Sequence, residues 1–255
     1  MADKLTIIKV SGKILENPEL LKLFIKNLSK VPGKKIFIHS AAQLGKTVAG
    51  KMGVNVVEAN GRPVMDSNVL DIYSMVYAGL MNKQLVTMLQ SRKYNAVGLT
   101  GADMNLVQSS VLSTSPNGYT GVVKQVNSTQ LSMLLDNGIT PVMAPFSHDG
   151  KGQLLFNETD AMAAETAKSL ALRYEVTLIY CFTKNGVLLN VNDPDSVVPV
   201  LKRTQYKALR EMEIIKDWFV NKVDNAFSAI DHGVKEVVIT SAEQIGNMKQ
   251  GTHIR

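Results

Sequence analysis

The alternation of strand-like and helix-like patterns along this chain is the feature that most constrains its fold. Short apolar runs, typical of buried strands, occur at residues 5–10, 35–39, 96–100, 140–145, 175–182 and 236–240. Amphipathic stretches between them predict helices at 17–30, 42–52, 67–92, 128–137, 158–173, 204–212 and 221–232. Apolar strands joined by helices favour a mostly parallel sheet that is covered on both faces. The sequence therefore predicts an α/β protein.

Composition narrows the class of ligand and the compartment. The 255 residues are enough for one large domain or two lobes, with the better lobe boundary in the turn-rich stretch at 147–152. The net charge of +6 is the balance of 28 basic and 22 acidic residues dispersed along the chain, which favours small anionic ligands over nucleic acid. A single cysteine, no visible signal peptide and no apolar run of about 18 residues predict a cytoplasmic protein without a membrane span.

The segment IFIHSAAQLGKT, residues 36–47, partly matches a nucleotide-binding phosphate loop. Gly45, Lys46 and Thr47 fit the end of that motif, but Ser40 stands where its first glycine should be. A residue with a side chain is costly where a loop needs a positive φ. His39, at the end of the apolar run, is interpreted as a structural hydrogen-bonding group rather than a metal ligand, because the four histidines show no metal-binding spacing.

Lys9 lies inside the apolar run IIKV of the first predicted strand. A lysine there is costly unless its ammonium group reaches a ligand or water. It could emerge at the carboxyl end of the strand, where open α/β sheets bind ligands. It could equally extend its stem along an edge strand into solvent. A dinucleotide-binding dehydrogenase is excluded, because no G-x-G-x-x-G follows this strand.

Ten segments form an ordered pattern from Leu5 to Arg255. They read IIKVSGKILEN, KIFIHSAAQ, NGRPVMD, MVYAGLMNKQLV, AVGLTGADMN, GYTGVV, TPVMAPFSHDGKGQLLFNETDAMAAETAKSLA, VTLIYCFTKNGVL, VNKVDNAFSAIDHGVKEVVIT and GTHIR. In these segments and in their order the chain resembles the amino acid kinase family, most of all its Bacteroidetes members that act on N-acylated L-glutamate. The resemblance covers nearly the whole length, and it implies that Gly45-Lys46-Thr47 belongs to a helix rather than to a phosphate loop.

The resemblance implies a three-layer αβα sandwich with a mainly parallel central sheet, the carbamate kinase-like fold. Residues 1–147 are expected to bind the acyl amino acid and form a homodimer, and residues 148–255 to bind ATP, whose phosphates rather than a protein cage hold Mg²⁺. The first strand is predicted within six residues of Met1, without the extra N-terminal helix of arginine-inhibited hexamers. The implied reaction transfers the γ-phosphoryl group to the side-chain carboxylate of N-acetyl- or N-succinyl-L-glutamate, in arginine biosynthesis.

Individual residue roles also follow from the resemblance. Lys9, Asp160 and Lys222 match the two lysines and the aspartate with which the family stabilises the charge of phosphoryl transfer. Positions that match substrate-binding residues are Gly12, Ser40, Ala41, Ala42, Arg62, Phe156 and Glu158. Positions that match nucleotide-binding residues are Ser11, Thr183, Lys184, Gly186, Asp217 and Trp218. No residue is assigned as a metal ligand.

Several of these positions depart from the family's pattern. Ser11 replaces the first glycine of a pair, and residues 39–42 replace a His-Gly-Gly-Gly loop. Pro63 replaces the arginine that binds the substrate's α-carboxylate, and 217–218 replace a second glycine pair. Phe156 and Glu158 replace two asparagines. Changes around the amino acid fit a pocket rebuilt for a different acyl amino acid. Changes around the phosphoryl group fit a homologue that has lost efficient catalysis and acts as a ligand-binding or regulatory protein. Both alternatives are open from the sequence.

Overall fold

The structure, a computed structural model, describes residues 2–59, 62–112, 118–216 and 218–255. Its strands are β1 Lys4–Val10, β2 Lys34–His39, β3 Glu58–Ala59, β4 Arg62–Pro63, β5 Ala96–Leu99, β6 Val107–Val111, β7 Thr120–Val126, β8 Thr140–Met143, β9 Phe146–His148, β10 Leu154–Asn157, β11 Glu175–Phe182, β12 Val200–Leu201, β13 Glu236–Ser241 and β14 Thr252–Ile254. The six strands predicted from the sequence are all present, with ends that differ by two residues at most.

The helices are α1 Gly12–Leu15, α2 Pro18–Asn27, α3 Ala42–Lys51, α4 Ser67–Ser74, α5 Asn82–Gln90, α6 Ser128–Asp136, α7 Thr159–Leu170, α8 Arg203–Glu211 and α9 Trp218–Asp231. Side-chain caps explain where some of them begin, since Asn17, Asp66 and Asn127 each accept a backbone N–H from the first turn that follows. The long helix predicted at 67–92 is interrupted by a π-helical segment, Met75–Met81, between α4 and α5. Within the described residues, no helix is long and apolar enough to cross a membrane.

Residues 1–35 and 163–255 form one compact unit, here called the terminal unit. Its strands lie in the order β12-β14-β13-β11-β1. β1, β11 and β13 are parallel neighbours, β14 runs antiparallel to β13, and β12 pairs parallel with β14. The apolar side chains of these strands are almost completely buried, for example Ile7, Ile8 and Leu178 at 0% exposure. A parallel sheet buried on both faces is what the continuous apolar runs predict.

Residues 36–162 form the second compact unit, here called the central unit. It contains a parallel set of strands in the order β2-β8-β5 and a closed barrel in the order β10-β7-β6-β9. Sequence analysis missed all four barrel strands. Their sequences are short or rich in polar residues, such as VQSSV in β6, and lack the continuous apolar run by which the buried strands are found.

Four aromatic rings form a cluster in the central unit. Tyr73, Tyr77 and Phe146 are almost fully buried, and Phe156 packs against all three with ring centroids 5.6 to 6.0 Å apart. Most of these contacts are edge-to-face, which is the favourable arrangement for the ring quadrupoles. The cluster joins the barrel strands β9 and β10 to the helical segment 67–81.

Helix α3 contains Gly45, Lys46 and Thr47, so these residues do not form a phosphate loop. Lys46 Nζ is 2.6 Å from Glu58 Oε1, and Thr47 Oγ1 donates to the Gln43 carbonyl within the helix. A Cβ on Gly45 would lie 3.0 Å from the Tyr73 ring. The helical position of Gly45 agrees with what the resemblance implied, and its packing role, letting α3 approach the aromatic cluster, comes from the structure.

Two glycines in α3 provide a matched test of this packing. A Cβ on Gly50 would have nothing within 4 Å, so Gly50→Leu should leave the free energy of unfolding unchanged or raise it by up to about 1 kcal/mol through helix propensity. Gly45→Leu must overpack against Tyr73 and should lower it by about 1 to 3 kcal/mol. Urea denaturation of both variants measures the difference, and equal effects at the two positions would contradict the packing role.

Candidate active site

Two of the three expected catalytic residues, Lys9 and Lys222, lie next to Tyr180 in the terminal unit. In the parallel pairing of β1 with β11, Lys9 is in register with Tyr180, so their side chains project from the same face of the sheet. Lys222, on α9, places Nζ 4.7 Å from the centroid of the Tyr180 ring. The structure thus brings both lysines to Tyr180. Sequence analysis did not identify Tyr180, whose place beside Lys9 depends on strand register.

The burial of these groups differs. Lys222 is only 2% exposed, whereas Lys9, one residue from the carboxyl end of β1, is half-buried. A desolvated ammonium group over a ring face gains electrostatic stabilisation from the ring, so Tyr180 helps to hold Lys222 in place. Asp160 belongs to the central unit, where it lies in the first turn of α7 and is 6% exposed. The partial positive charge of a helix N-terminus favours a carboxylate at that position.

Ser11 and Gly12 follow β1 directly. The backbone N–H of Ser11 donates to the Cys181 carbonyl at 3.0 Å, which extends the pairing of β1 with β11 by one residue. That N–H is therefore already used within the protein. Ser11 has φ −68°, a conformation open to any residue, so serine at this family glycine position causes no backbone strain. Gly12 is buried at the start of α1.

The nucleotide-binding prediction falls on a cavity in the terminal unit. Thr183 and Lys184 line this cavity, which has a volume of about 280 Å³. The segment VTLIYCFTKNGVL, which carries the resemblance here, also contains the lining residues Phe182, Asn185 and Leu188. Sequence analysis missed the others, Leu20, Val191, Pro194, Ser241, Ala242 and Glu243. These come from α2, from the chain beyond Leu188, and from the end of β13 with the two residues that follow it, so the sequence offers no continuous signal for them.

Gly186 has a structural reason to be glycine. A Cβ at this position would lie 2.6 Å from Thr252 Oγ1, and the neighbouring N–H of Val187 donates to that same oxygen. The other two nucleotide-binding predictions fall at residues 217–218. Asp217 lies outside the described residues, and of Trp218 the structure describes only its position as the first residue of α9.

His39 is a buried, neutral hydrogen-bonding residue at the end of β2. Its Nε2 lies 3.1 Å from Asn82 Nδ2, which also donates to the Val142 carbonyl at 2.9 Å. Because Asn82 donates, Nε2 accepts, which assigns the ring proton to Nδ1. Burial lowers the pKa of His39 to about 3. The structure confirms the structural interpretation of His39 and shows that Asn82 fixes the strand end from which the next loop starts.

The loop after His39 lacks glycine but is not strained. Ala41 has φ −148°. Among the described residues other than glycine, only Lys93, Met104, Asn105 and Glu213 have a positive φ. Ser40, Ala41 and Ala42 therefore do not take the positive φ that favours glycine. Their side chains instead occupy space beside the backbone that glycine would leave empty. Ala41, for example, is fully buried.

The remaining substrate-binding predictions lie in the central unit. Arg62 pairs with Ala59 in the β3–β4 hairpin, and successive strand residues point to opposite sides. Arg62 therefore projects away from the side on which Pro63 stands. Phe156 is half-buried in the aromatic cluster, and Glu158 is half-buried between β10 and α7. Asn157, which sequence analysis did not single out, is buried and donates to Ser109 Oγ and the Gly121 carbonyl.

The fold and the paired lysines define an α/β protein that can bind an anionic group at the carboxyl ends of its parallel strands. Residues 4–241 match the amino acid kinase family, and the chain belongs to that family. It is 44% identical to an acetylglutamate kinase of Phocaeicola vulgatus, with 100% of both chains covered. It is 42% identical to an acetylglutamate kinase of Parabacteroides distasonis, with 99% of both chains covered.

Solved structures confirm the predicted three-layer α/β fold. A carbamate kinase from Giardia superposes with a TM-score of 0.70 at 14% identity, covering 100% of this chain and 99% of that chain. The N-acetylglutamate synthase from Neisseria gonorrhoeae superposes with a TM-score of 0.80 at 22% identity. That match covers 98% of this chain and 59% of the synthase, so the likeness is to one part of the larger protein.

The low pKa of His39 predicts a pH dependence of stability. The unfolded chain binds a proton at this histidine near pH 6.5, whereas the folded protein does so only near pH 3. Between these values the unfolded state holds more protons, so the free energy of unfolding falls as pH falls, by about 1.4 kcal/mol per pH unit. From pH 6.5 to 4.5, wild type should lose about 2 to 3 kcal/mol more than His39→Gln in urea denaturation. Parallel pH profiles of the two proteins would contradict this prediction.

Proposed function

We propose that this protein is an ATP-dependent kinase that phosphorylates the side-chain carboxylate of N-acetyl-L-glutamate, a step of arginine biosynthesis. Relatives named acetylglutamate kinase that are 40–44% identical over essentially the full chain support this function. The observation in the structure that carries it is the placement of Lys222 over the Tyr180 ring, with Lys9 in register beside Tyr180 on the same sheet face.

The chemistry accounts for the need for two lysines. A carboxylate oxygen of the substrate attacks the γ-phosphorus and forms the new P–O bond. The bond between the γ-phosphorus and the β,γ-bridging oxygen breaks, and ADP leaves with the electron pair of that bond. The transition state spreads charge over the phosphoryl oxygens, so the protein contributes positioning and countercharge. Lys222, held over an aromatic ring, is restricted to few conformations and reorganises little during the reaction. Lys9 supplies the second positive charge from the same sheet face.

The remaining assignments are part of the proposal. Asp160 is assigned the role of orienting the lysine ammonium groups. The substrate would be bound by residues of the central unit together with Gly12, namely Ser40, Ala41, Ala42, Arg62, Phe156 and Glu158. ATP would be bound by the cavity at Thr183 and Lys184, and Ser11, Gly186, Asp217 and Trp218 are assigned to the same nucleotide. Mg²⁺ would arrive with the ATP phosphates.

We also propose a cytoplasmic homodimer, with residues 1–147 serving the acyl amino acid and residues 148–255 serving ATP. The central unit offers apolar surface for self-association, because Met75 is 53% exposed and Leu80 is 46% exposed on the π-helical segment. Exposed large apolar side chains that lie close together on one element are a feature of interaction surfaces.

The test of the function is loss of one countercharge without loss of fold. Lys9→Met keeps the length of the side chain and removes its charge, so it should lower the rate with MgATP and N-acetyl-L-glutamate by on the order of a thousandfold. Lys22→Met is the matched control, because Lys22 is exposed and its ion pair is with the exposed Glu19, and its rate should stay within about twofold of wild type.

A coupled ADP-release assay measures both variants, with N-succinyl-L-glutamate as a second acceptor that identifies the preferred acyl group. Thermal melts of the three proteins show whether the fold is retained. If Lys9→Met released ADP as fast as wild type with either acceptor, the catalytic assignment would be wrong. If wild type bound MgATP but released no ADP, the protein would be a ligand-binding homologue instead.

A further inference from the structure

A buried asparagine at the end of α2 supports one wall of the terminal-unit cavity. Asn27 is 6% exposed, and its Nδ2 donates to the carbonyls of Ala242 and Glu243, each at 3.0 Å. These two consecutive residues follow β13 and line the cavity. A single side chain, more than 200 residues away in sequence, thus holds two adjacent peptide groups of the cavity wall.

The orientation of the Asn27 amide is fixed by its partners. The carbonyls of 242 and 243 can only accept hydrogen bonds, and the ammonium group of Lys30, 3.4 Å from Oδ1, can only donate. The donor end of the amide therefore faces acceptors, and its acceptor end faces a donor. A flipped amide would place Oδ1 against two carbonyls, so the arrangement selects one rotamer.

The same wall also packs closely on the end of α2. A Cβ on Gly246 would lie 2.8 Å from the Lys30 side chain and 3.0 Å from the Asn27 carbonyl. The other end of α2 reaches the cavity directly, because Leu20 is one of its lining residues. Helix α2 therefore lines the cavity at Leu20 and fixes the opposite lining segment, 241–243, through Asn27.

We infer that Asn27 is a positioning residue for the nucleotide: it holds the 242–243 segment where a bound adenine nucleotide contacts it. This inference rests on the proposed function, which places ATP in this cavity. The backbone N–H groups of Gln244 and Ile245 donate to the Ser241 carbonyl, whereas the carbonyls of 242 and 243 accept from the Asn27 side chain. Without the Asn27 amide, these two carbonyls would turn towards water and the side chain of Glu243 would leave its position in the wall.

The experiment measures the affinity of the full-length protein for AMP-PNP by calorimetry. Asn27→Leu has nearly the same volume but no donor, and it should weaken AMP-PNP binding by about tenfold, equivalent to about 1.4 kcal/mol. The KM of Asn27→Leu for ATP should rise by a similar factor, while its kcat and its KM for the acyl amino acid should change less than about twofold. Thr6→Val is the matched control, because the buried Thr6 hydroxyl also donates to a backbone carbonyl, that of Pro32, but does not line the cavity.

A second measurement needs no variant. In wild type, saturating AMP-PNP should slow hydrogen exchange at the Gln244 and Ile245 amides, which lie in the held segment. Binding without slower exchange there would overturn the inference, as would equal affinity of Asn27→Leu and Thr6→Val. If wild type bound no AMP-PNP at all, the proposed function and the inference would both be wrong. The results named above would instead overturn the inference alone, so the two failures are distinguishable.

Discussion

The register of β1 on β11 is the constraint on which the proposed site depends. Lys9 and Tyr180 share a sheet face only because Lys9 is paired with Tyr180, and a slip of one residue would move Lys9 to the opposite face. The buried Ile7, Ile8 and Leu178 set this register. A slip of one residue would also move each apolar side chain of β1 to the opposite face of the sheet, against a different layer of helices. The position of a functional charge is thus determined by the packing of residues that never contact a ligand.

Parallel strands explain why the lysines and the cavity occur together in the terminal unit. Lys9 lies near the carboxyl end of β1, Thr183 follows the carboxyl end of β11, and Ser241 ends β13. Because these three strands are parallel neighbours, their ends meet at one edge of the sheet, with β13 about 10 Å from β1. A nucleotide whose base occupied the cavity would extend its phosphates along this edge.

Much of the fold could be predicted from the sequence, but the contacts that complete the site could not. The six continuous apolar runs identify the parallel strands, whereas VQSSV in β6 has no such run and becomes a strand through barrel closure. Lys9 is identified by its unusual place in an apolar run and by family resemblance. Tyr180 and Asn27 look like ordinary strand and helix residues, and only pairing across more than 100 residues gives them their roles.

The missing glycines are a problem of space rather than of backbone conformation. Ser11 and Ala41 adopt φ values that any residue allows, so the segments after β1 and β2 can form without glycine. A Cβ there still occupies volume beside the backbone, and the Ser11 N–H is already bound to the Cys181 carbonyl. Fewer backbone donors are then left for phosphate, and more of the transition-state charge must be stabilised by side-chain cations. In the proposed reaction these cations are Lys9 and Lys222, of which Lys222 is the more deeply buried and lies over an aromatic ring.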